Sequence, residues 1–319
     1  MEKHDLAEYV RILARGKNAS RNMTLDEAHF TMSNMLKGNY RPEQLGAIFM
    51  LMRVLEEDAN EIAGFSKAIG EYFPDDMAVD LIWPSYAGKR RQPFWCLLSA
   101  LLLSEMGYKI LFHGTTSHTD GRIYLHEVFE EFGLTQLESA DYIGKNNLAY
   151  LPCSLLNVQL QDWLLLKSVL GVRSPINTVL KTITTADVPS VQGVFHPNYK
   201  ATHCSAAQLL GHNALVIKGE GGEFEVNPER KCVAAYTFGT ESGEIILPND
   251  RSHFSDKVKG ISPQHLLDYW RGDLESEYAF QAVLKTAALA LCAIQKSSDY
   301  DAAFDACQKA WNERNKVIL

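Results

Sequence analysis

Ten consecutive residues, Trp83-Pro84-Ser85-Tyr86-Ala87-Gly88-Lys89-Arg90-Arg91-Gln92, concentrate groups able to hold an anion. The apolar run 79–83 before them reads as a strand, and the apolar run 94–107 after them reads as a helix. A strand that turns into a helix N-terminus is a natural anion site, because free backbone N–H groups and the helix dipole both point there. Phosphate loops at such turns are usually glycine-rich, so that the backbone can wrap the anion. Here a single glycine is followed by three consecutive cations. The segment reads as an anion site with altered chemistry. Ser85, Tyr86, Gly88, Lys89, Arg90 and Arg91 are its candidate phosphate or polyanion ligands.

A second group of cations, Arg11, Arg15, Lys17 and Arg21, has no acid between its members and is a candidate nucleic-acid groove. The alternative for such a run is a solvated helix face. The stretch 219–222, Gly-Glu-Gly-Gly, follows a strand-like run but lacks a GxGxxG or Walker pattern, so a flexible turn is the better reading. His196-Pro197 follows the strand-like run 191–195, either at the ligand-binding edge of a sheet or simply in a turn. His203 and His212 read as packed side chains. The six cysteines show no CxxC pair and sit mostly in apolar runs, as reduced buried thiols do. No Ser-His-Asp, HExxH or metal-ligand spacing is present, so no catalytic set and no metal are assigned.

These residues must be positioned by a chain of 319 residues that is 46% apolar, which is ample for a sizeable core. No apolar run reaches the roughly 18 residues a bilayer span needs. The N-terminal five residues are charged with no apolar region behind them, so a cytoplasmic protein without a signal peptide is expected. The net charge of −8 means that any polyanion site must be local, since a non-specific nucleic-acid binder is usually basic overall.

Residues 1–73 read as short amphipathic helices. Thr24-Leu25-Asp26-Glu27 is a capping box, Arg41-Pro42-Glu43-Gln44 opens the next helix, and Asp58-Ala59-Asn60-Glu61 opens a third. From 74 onward strands alternate with helices: strands at 79–83, 109–112, 148–151, 191–195, 214–218 and 233–238, with helices at 94–106, 123–132 and 201–210. Such alternation argues for an α/β domain, 74–319, around a mostly parallel sheet. A long apolar helix at 155–170 is expected, and the segment 155–182 is a candidate to join the helical domain 1–73. The C-terminal third carries helices at 262–270, 278–295 and 302–311.

In this order the segments resemble the anthranilate phosphoribosyltransferase family, glycosyltransferase family 3. The similarity is strongest over 13–69, which includes Met35-Leu36-Lys37-Gly38, Leu45-Gly46-Ala47-Ile48-Phe49-Met50 and Glu61-Ile62-Ala63-Gly64-Phe65. The resemblance implies a nucleoside phosphorylase/phosphoribosyltransferase-like fold, with a small N-terminal helical domain beside a large α/β domain, and a homodimer formed through the helical part. It also implies that the turn at 84–89 stands where the family's Gly-Thr-Gly-Gly-Asp-Gly loop holds the pyrophosphate of phosphoribosyl pyrophosphate (PRPP). Phe112-His113-Gly114-Thr115 stands at the family's Lys-His-Gly-Asn motif, keeping His113 and Gly114. At the Mg²⁺-carrying Asp-Glu pair, Phe224 replaces the Asp and Glu225 remains. The arginine that receives the anthranilate carboxylate falls near Lys167, four residues before Gly171-Val172-Arg173. Arg15-Gly16-Lys17-Asn18, Pro84-Ser85-Tyr86-x-Gly and Phe112-His113-Gly114 together look most like a divergent paralogue group that keeps the fold, lacks the biosynthetic activity and is linked to nucleic-acid binding.

Two functions follow. In the first, a basic interdomain groove binds single-stranded nucleic acid, DNA or RNA. Lys89, Arg90 and Arg91 neutralise phosphates, Tyr86 or His113 stacks on a base, and Thr115, Lys167 and Arg173 are neighbours. In the second, a phosphoribosyl or other glycosyl transferase acts on an altered, phosphorylated small molecule. Ser85, His113, Gly114 and Glu225 are its remnants, Lys89 or Arg90 stands in for the metal, and Mg²⁺ enters only in this case. No other cofactor and no membrane partner are expected.

Overall fold

The computed structural model describes residues 4–16, 18–74, 77–116, 118–139, 147–185, 188–247, 249 and 253–317. Four helices open the chain: α1 (Ala7–Leu13), α2 (Leu25–Leu36), α3 (Pro42–Leu55) and α4 (Ala59–Gly70). Thr24 and Glu27 form the expected capping box at α2, and Asp58 and Glu61 form another at α4. The α/β part runs β1 (Leu81–Ser85), α5 (Trp95–Glu105), β2 (Ile110–Gly114), α6 (Leu125–Glu131), β3 (Thr135–Gln136) and β4 (Leu148–Pro152). Short helices α7 (Cys153–Leu156), α8 (Val158–Leu165), α9 (Lys167–Leu170) and α10 (Ile176–Val179) follow. Next come β5 (Ser190–Val194), α11 (Tyr199–Leu210), β6 (Ala214–Lys218), β7 (Cys232–Phe238) and β8 (Glu241–Leu247). Three helices close the chain: α12 (Gln264–Arg271), α13 (Glu277–Gln295) and α14 (Tyr300–Glu313).

The eight strands form one sheet in the order β3-β4-β2-β1-β5-β6-β7-β8. All pairings are parallel except β6–β7 and β7–β8. Alternate residues of the central strands feed opposite cores, as the two-residue period of a strand requires. Leu81, Trp83, Ile110, Phe112 and Tyr150 pack toward α5, α6 and the C-terminal helices. Ile82, Leu111, Ala149 and Leu151 pack toward α1–α4, α8 and α10. The helical bundle therefore shares a core with one face of the sheet. It is also tied to the later segment directly: the Asn157 and Gln159 amides both donate to the Leu36 carbonyl, and Phe49 meets Trp163 edge-on at 5.8 Å. The other core centres on α13, which is long and apolar enough to cross a membrane by length and composition alone. It is a core helix, 78% buried within the protein and packed on α5.

The expected single helix over 155–170 is broken twice. Asn157 is extended (φ −157°), its side chain caps the Gln159 N–H, and the run breaks again at Leu166 before α9. A local cap wins over apolar continuity here. The strand expected at 191–195 ends at Val194, leaving the Phe195 side chain 58% exposed. The outer antiparallel partner of β7 is the edge strand β8, whose mostly solvent-facing, polar start hides it from an apolar-run reading.

Candidate functional site

Strands β2, β1, β5 and β6 are adjacent and parallel, so their C-terminal ends open on one edge of the sheet. From β1 the chain builds outward through β2 and β4, then returns to place β5 on the other side of β1. The crevice between β1 and β5 is thus a topological switch point, where open α/β sheets bind ligands. The turn after β1, the loop after β2 and the loops after β5 and β6 meet there.

The turn after β1 is held rigidly. Lys89 exchanges two backbone hydrogen bonds with Ile123, at 2.8 and 3.0 Å. The Arg122 guanidinium donates to the carbonyls of Ala87 and Gly88 at 2.6 and 2.9 Å. Gly88 has φ +69°, and a Cβ there would lie 3.0 Å from the Ile123 oxygen, so the glycine serves the turn. The backbone amides that turn inward already have an anion. Glu223 Oε1 accepts from the N–H groups of both Ala87 and Gly88, each at 2.7 Å. Glu225 Oε2 accepts from the Cys96 N–H in the first turn of α5 at 2.9 Å, and Glu225 Oε1 lies 2.5 Å from Lys89 Nζ. Glu223, Glu225 and Lys89 are all buried. Burial opposes the charge of Lys89, but the Glu225 carboxylate outweighs it and holds the ammonium pKa above its ordinary value. Phe224, between the two acids, is fully buried and packs edge-on against Trp83 at 5.4 Å.

The candidates therefore separate. Lys89 is a buried ion-pair partner rather than a free cation. Ser85 is buried at the end of β1. Tyr86 is 2% exposed, with its hydroxyl 2.8 Å from His113 Nδ1, and burial pushes the fully enclosed His113 down to about 3. Neither ring is available to stack on a base. Gly114 is a packing position: a Cβ there would lie 2.3 Å from the Ser85 oxygen. Thr115 is buried, its hydroxyl 2.8 Å from Gln161 Oε1 and its carbonyl accepting from Tyr150. Lys167 lines a separate depression with Arg90 and His118. In the N-terminal group Arg11 pairs with Glu8, and Arg21 makes two bonds to Glu27, at 2.6 and 2.7 Å. Arg15 and Arg21 line their own small depression beside α1 and do not line the groove at the sheet edge. Lys17 lies outside the described residues.

The structure brings a different set together. A groove of about 490 Å³ at the sheet edge is lined by Arg90, Arg91, Arg122, Lys218, Arg230 and His196, with Phe195 on its wall. Arg90, Arg91, Lys218 and Arg230 are exposed, and Arg122 is half-buried. Glu220 is the only acid among the described lining residues, and its carboxylate accepts from Asn227. A second cavity of about 150 Å³ opens on the other side of Phe195 and reaches Arg173, Ser174 and Lys181. Of the residues lining this groove, sequence reading named Gly88, Lys89, Arg90 and Arg91 as anion ligands and His196 as a sheet-edge candidate, and Lys89 faces it as a buried ion-pair partner. Lys218 carried a signal, as the polar end of a strand before glycines. Arg122 and Arg230 sit in irregular segments, and only the folded sheet edge brings them beside the turn.

Comparison with known proteins gives four results. Residues 7–72 match the helical bundle domain of the glycosyl transferase family. The chain is 30% identical to an uncharacterized protein of Aquifex aeolicus over 226 residues, 68% of this chain and 69% of that one. It is also 26% identical to the uncharacterized protein YbiB of Escherichia coli K12 over 238 residues, 71% and 74% of the two chains. Among solved structures, the anthranilate phosphoribosyltransferase of Saccharomyces cerevisiae in complex with PRPP and Mg superposes with a TM-score of 0.75 at 15% identity, covering 98% of this chain and 94% of that one.

Proposed function

The chain belongs to the anthranilate phosphoribosyltransferase-like glycosyltransferase family 3, and from that premise we propose that it is a non-biosynthetic member that binds single-stranded nucleic acid along the cationic groove. One observation carries this reading: the anion cradle behind β1 is filled by the protein's own carboxylates, while the cations at its rim are uncovered. Glu223 accepts from the two amides of the turn and Glu225 accepts from the helix N-terminus, so the donors that would wrap a pyrophosphate are satisfied internally.

The residues present do not fit Mg²⁺. The metal is held by carboxylate oxygens and phosphates in octahedral geometry. Here Phe224 offers no oxygen, and both oxygens of Glu225 are engaged by Lys89 and Cys96. Of the two cations that could replace the metal in a transferase with an altered substrate, Lys89 is disfavoured, because Glu225 already neutralises its charge, and Arg90 is the one left to that reading.

The groove has what a phosphodiester chain needs. Guanidinium and ammonium groups line an open path, and the exposed Phe195 ring beside them provides a surface on which a base can stack. With about four phosphates neutralised, the single-strand salt slope is near −3, a loss of roughly 50-fold in affinity between about 50 and 200 mM salt. Fluorescence anisotropy with a labelled single strand tests this. The double variant Arg91→Ala/Arg230→Ala should weaken binding and flatten the slope by about half. Lys89 is left intact, because removing it would strand a buried carboxylate. Affinity that is insensitive to salt, or unchanged in the double variant, would remove the groove reading.

A further inference from the structure

The cavity of about 150 Å³ behind Phe195 plays no part in the groove reading. It lies between α3, the segment 173–181, the end of β5 and the start of α11. We infer that this cavity is a separate binding site for the phosphate group of a small phosphomonoester.

Charge is the first reason. Arg53 from α3 and both Arg173 and Lys181 from the segment 173–181 converge on the cavity. The two acids nearby are turned to other partners: Glu223 to the amides of Ala87 and Gly88, and Glu57 to the Tyr199 hydroxyl at 2.9 Å. Lys181 Nζ donates to the carbonyls of Gly193 and Gly222 at 2.7 and 2.8 Å, and an ammonium has a third donor. Burial, together with the charges of Arg173 and Arg122, lowers Lys181 to about 8, against the pull of Glu223. Among the described residues no acid lines the cavity, so its lining is net positive.

An unused buried donor is the second reason. Ser174 lines the cavity, is 4% exposed, and its Oγ has no hydrogen-bond partner. A buried hydroxyl left unpaired is costly, and a bound anion would recover that cost. Asn177 and Thr178, one helical step further on, add polar lining. The third reason is size. Pockets for drug-sized ligands run to about 300 Å³ and more. This cavity is about half that, which suits a phosphate with a short polyol tail and excludes a nucleotide.

Calorimetric titration with inorganic phosphate and with glycerol 3-phosphate, against chloride at matched ionic strength, tests the assignment. The wild-type protein should bind both saturably. Ser174→Ala should weaken binding about tenfold, the loss of one hydrogen bond to a charged group, and Arg173→Gln should weaken it further. Arg91→Ala/Arg230→Ala should leave phosphate binding unchanged, and Ser174→Ala should leave single-strand affinity unchanged, so this site and the groove fail or stand separately. Absence of saturable phosphate binding would overturn the assignment. So would phosphate binding that persists in Ser174→Ala and Arg173→Gln, or that is lost in the groove variant. Ser174→Ala removes a single oxygen, and its circular dichroism spectrum shows whether the fold is kept.

Discussion

At the residue scale the controlling feature is an internal anion pair: Glu223 accepts from the amides of the turn after β1, and Glu225 accepts from the N-terminus of α5. The Lys89–Glu225 pair is fully desolvated, so its two members depend on each other. Breaking a buried pair from one side costs about 3–5 kcal/mol, whereas replacing both partners by apolar groups is often near neutral. Lys89→Met alone should therefore lower stability by about that amount in urea unfolding, and Lys89→Met/Glu225→Met should recover most of it. Equal losses in the single and double variants would show that the pair is not coupled. The buried histidines set the acid limit. Burial lowers both His113 and His203 to about 3. As pH falls below about 6.5 the unfolded chain takes up protons that the folded state refuses, and stability drops by roughly 1.4 kcal/mol per pH unit for each group. Glu61 acts in the opposite sense: burial raises it to about 7, so its contribution is lost as pH rises from about 4.5 to 7. Unfolding at pH 7 and pH 5 should show a net loss on acidification, steeper in Glu61→Gln. Parallel curves for the two proteins would contradict the Glu61 assignment.

At the element scale the sequence was most legible where elements are buried on both sides. β1, β2, β4, β5, β6 and β7 read as apolar runs and fall within about two residues of their expected places. The capping boxes at Thr24 and Asp58 were visible because they are local chemistry. What was hidden depends on distant residues. The break at Asn157 is fixed partly by the Leu36 carbonyl, 121 residues away in the chain. The filling of the cradle joins Ala87 and Gly88 to Glu223 across 136 and 135 residues. Spacing marked the turn after β1 as an anion site but did not show that its anion is internal. The helical part also leaves apolar side chains uncovered: Val158 is 67%, Leu165 44% and Val169 78% exposed on α8 and α9. We propose that these faces join two copies of the chain. Sedimentation at micromolar concentration should give a dimer, with Val158→Asp/Val169→Asp shifting it toward monomer. A wild-type monomer would refute the proposal.

At the scale of the whole molecule, an acidic chain with net charge −8 gathers Arg90, Arg91, Arg122, Lys218 and Arg230 on one edge of its sheet. Under the proposed function that local excess is what attracts a polyanion to an otherwise acidic protein, and the attraction weakens beyond roughly 8–10 Å at physiological salt. Under the proposed function the amides of Ala87, Gly88 and Cys96 at this edge are closed to an external anion by Glu223 and Glu225. Titration calorimetry of PRPP with Mg²⁺ into the wild-type protein tests this most directly. The filled cradle predicts no Mg²⁺-dependent heat of binding, because the amides of Ala87, Gly88 and Cys96 already have carboxylate acceptors. Saturable, Mg²⁺-dependent binding of PRPP at micromolar affinity would show that Glu223 and Glu225 give way to the ligand, and would contradict the account.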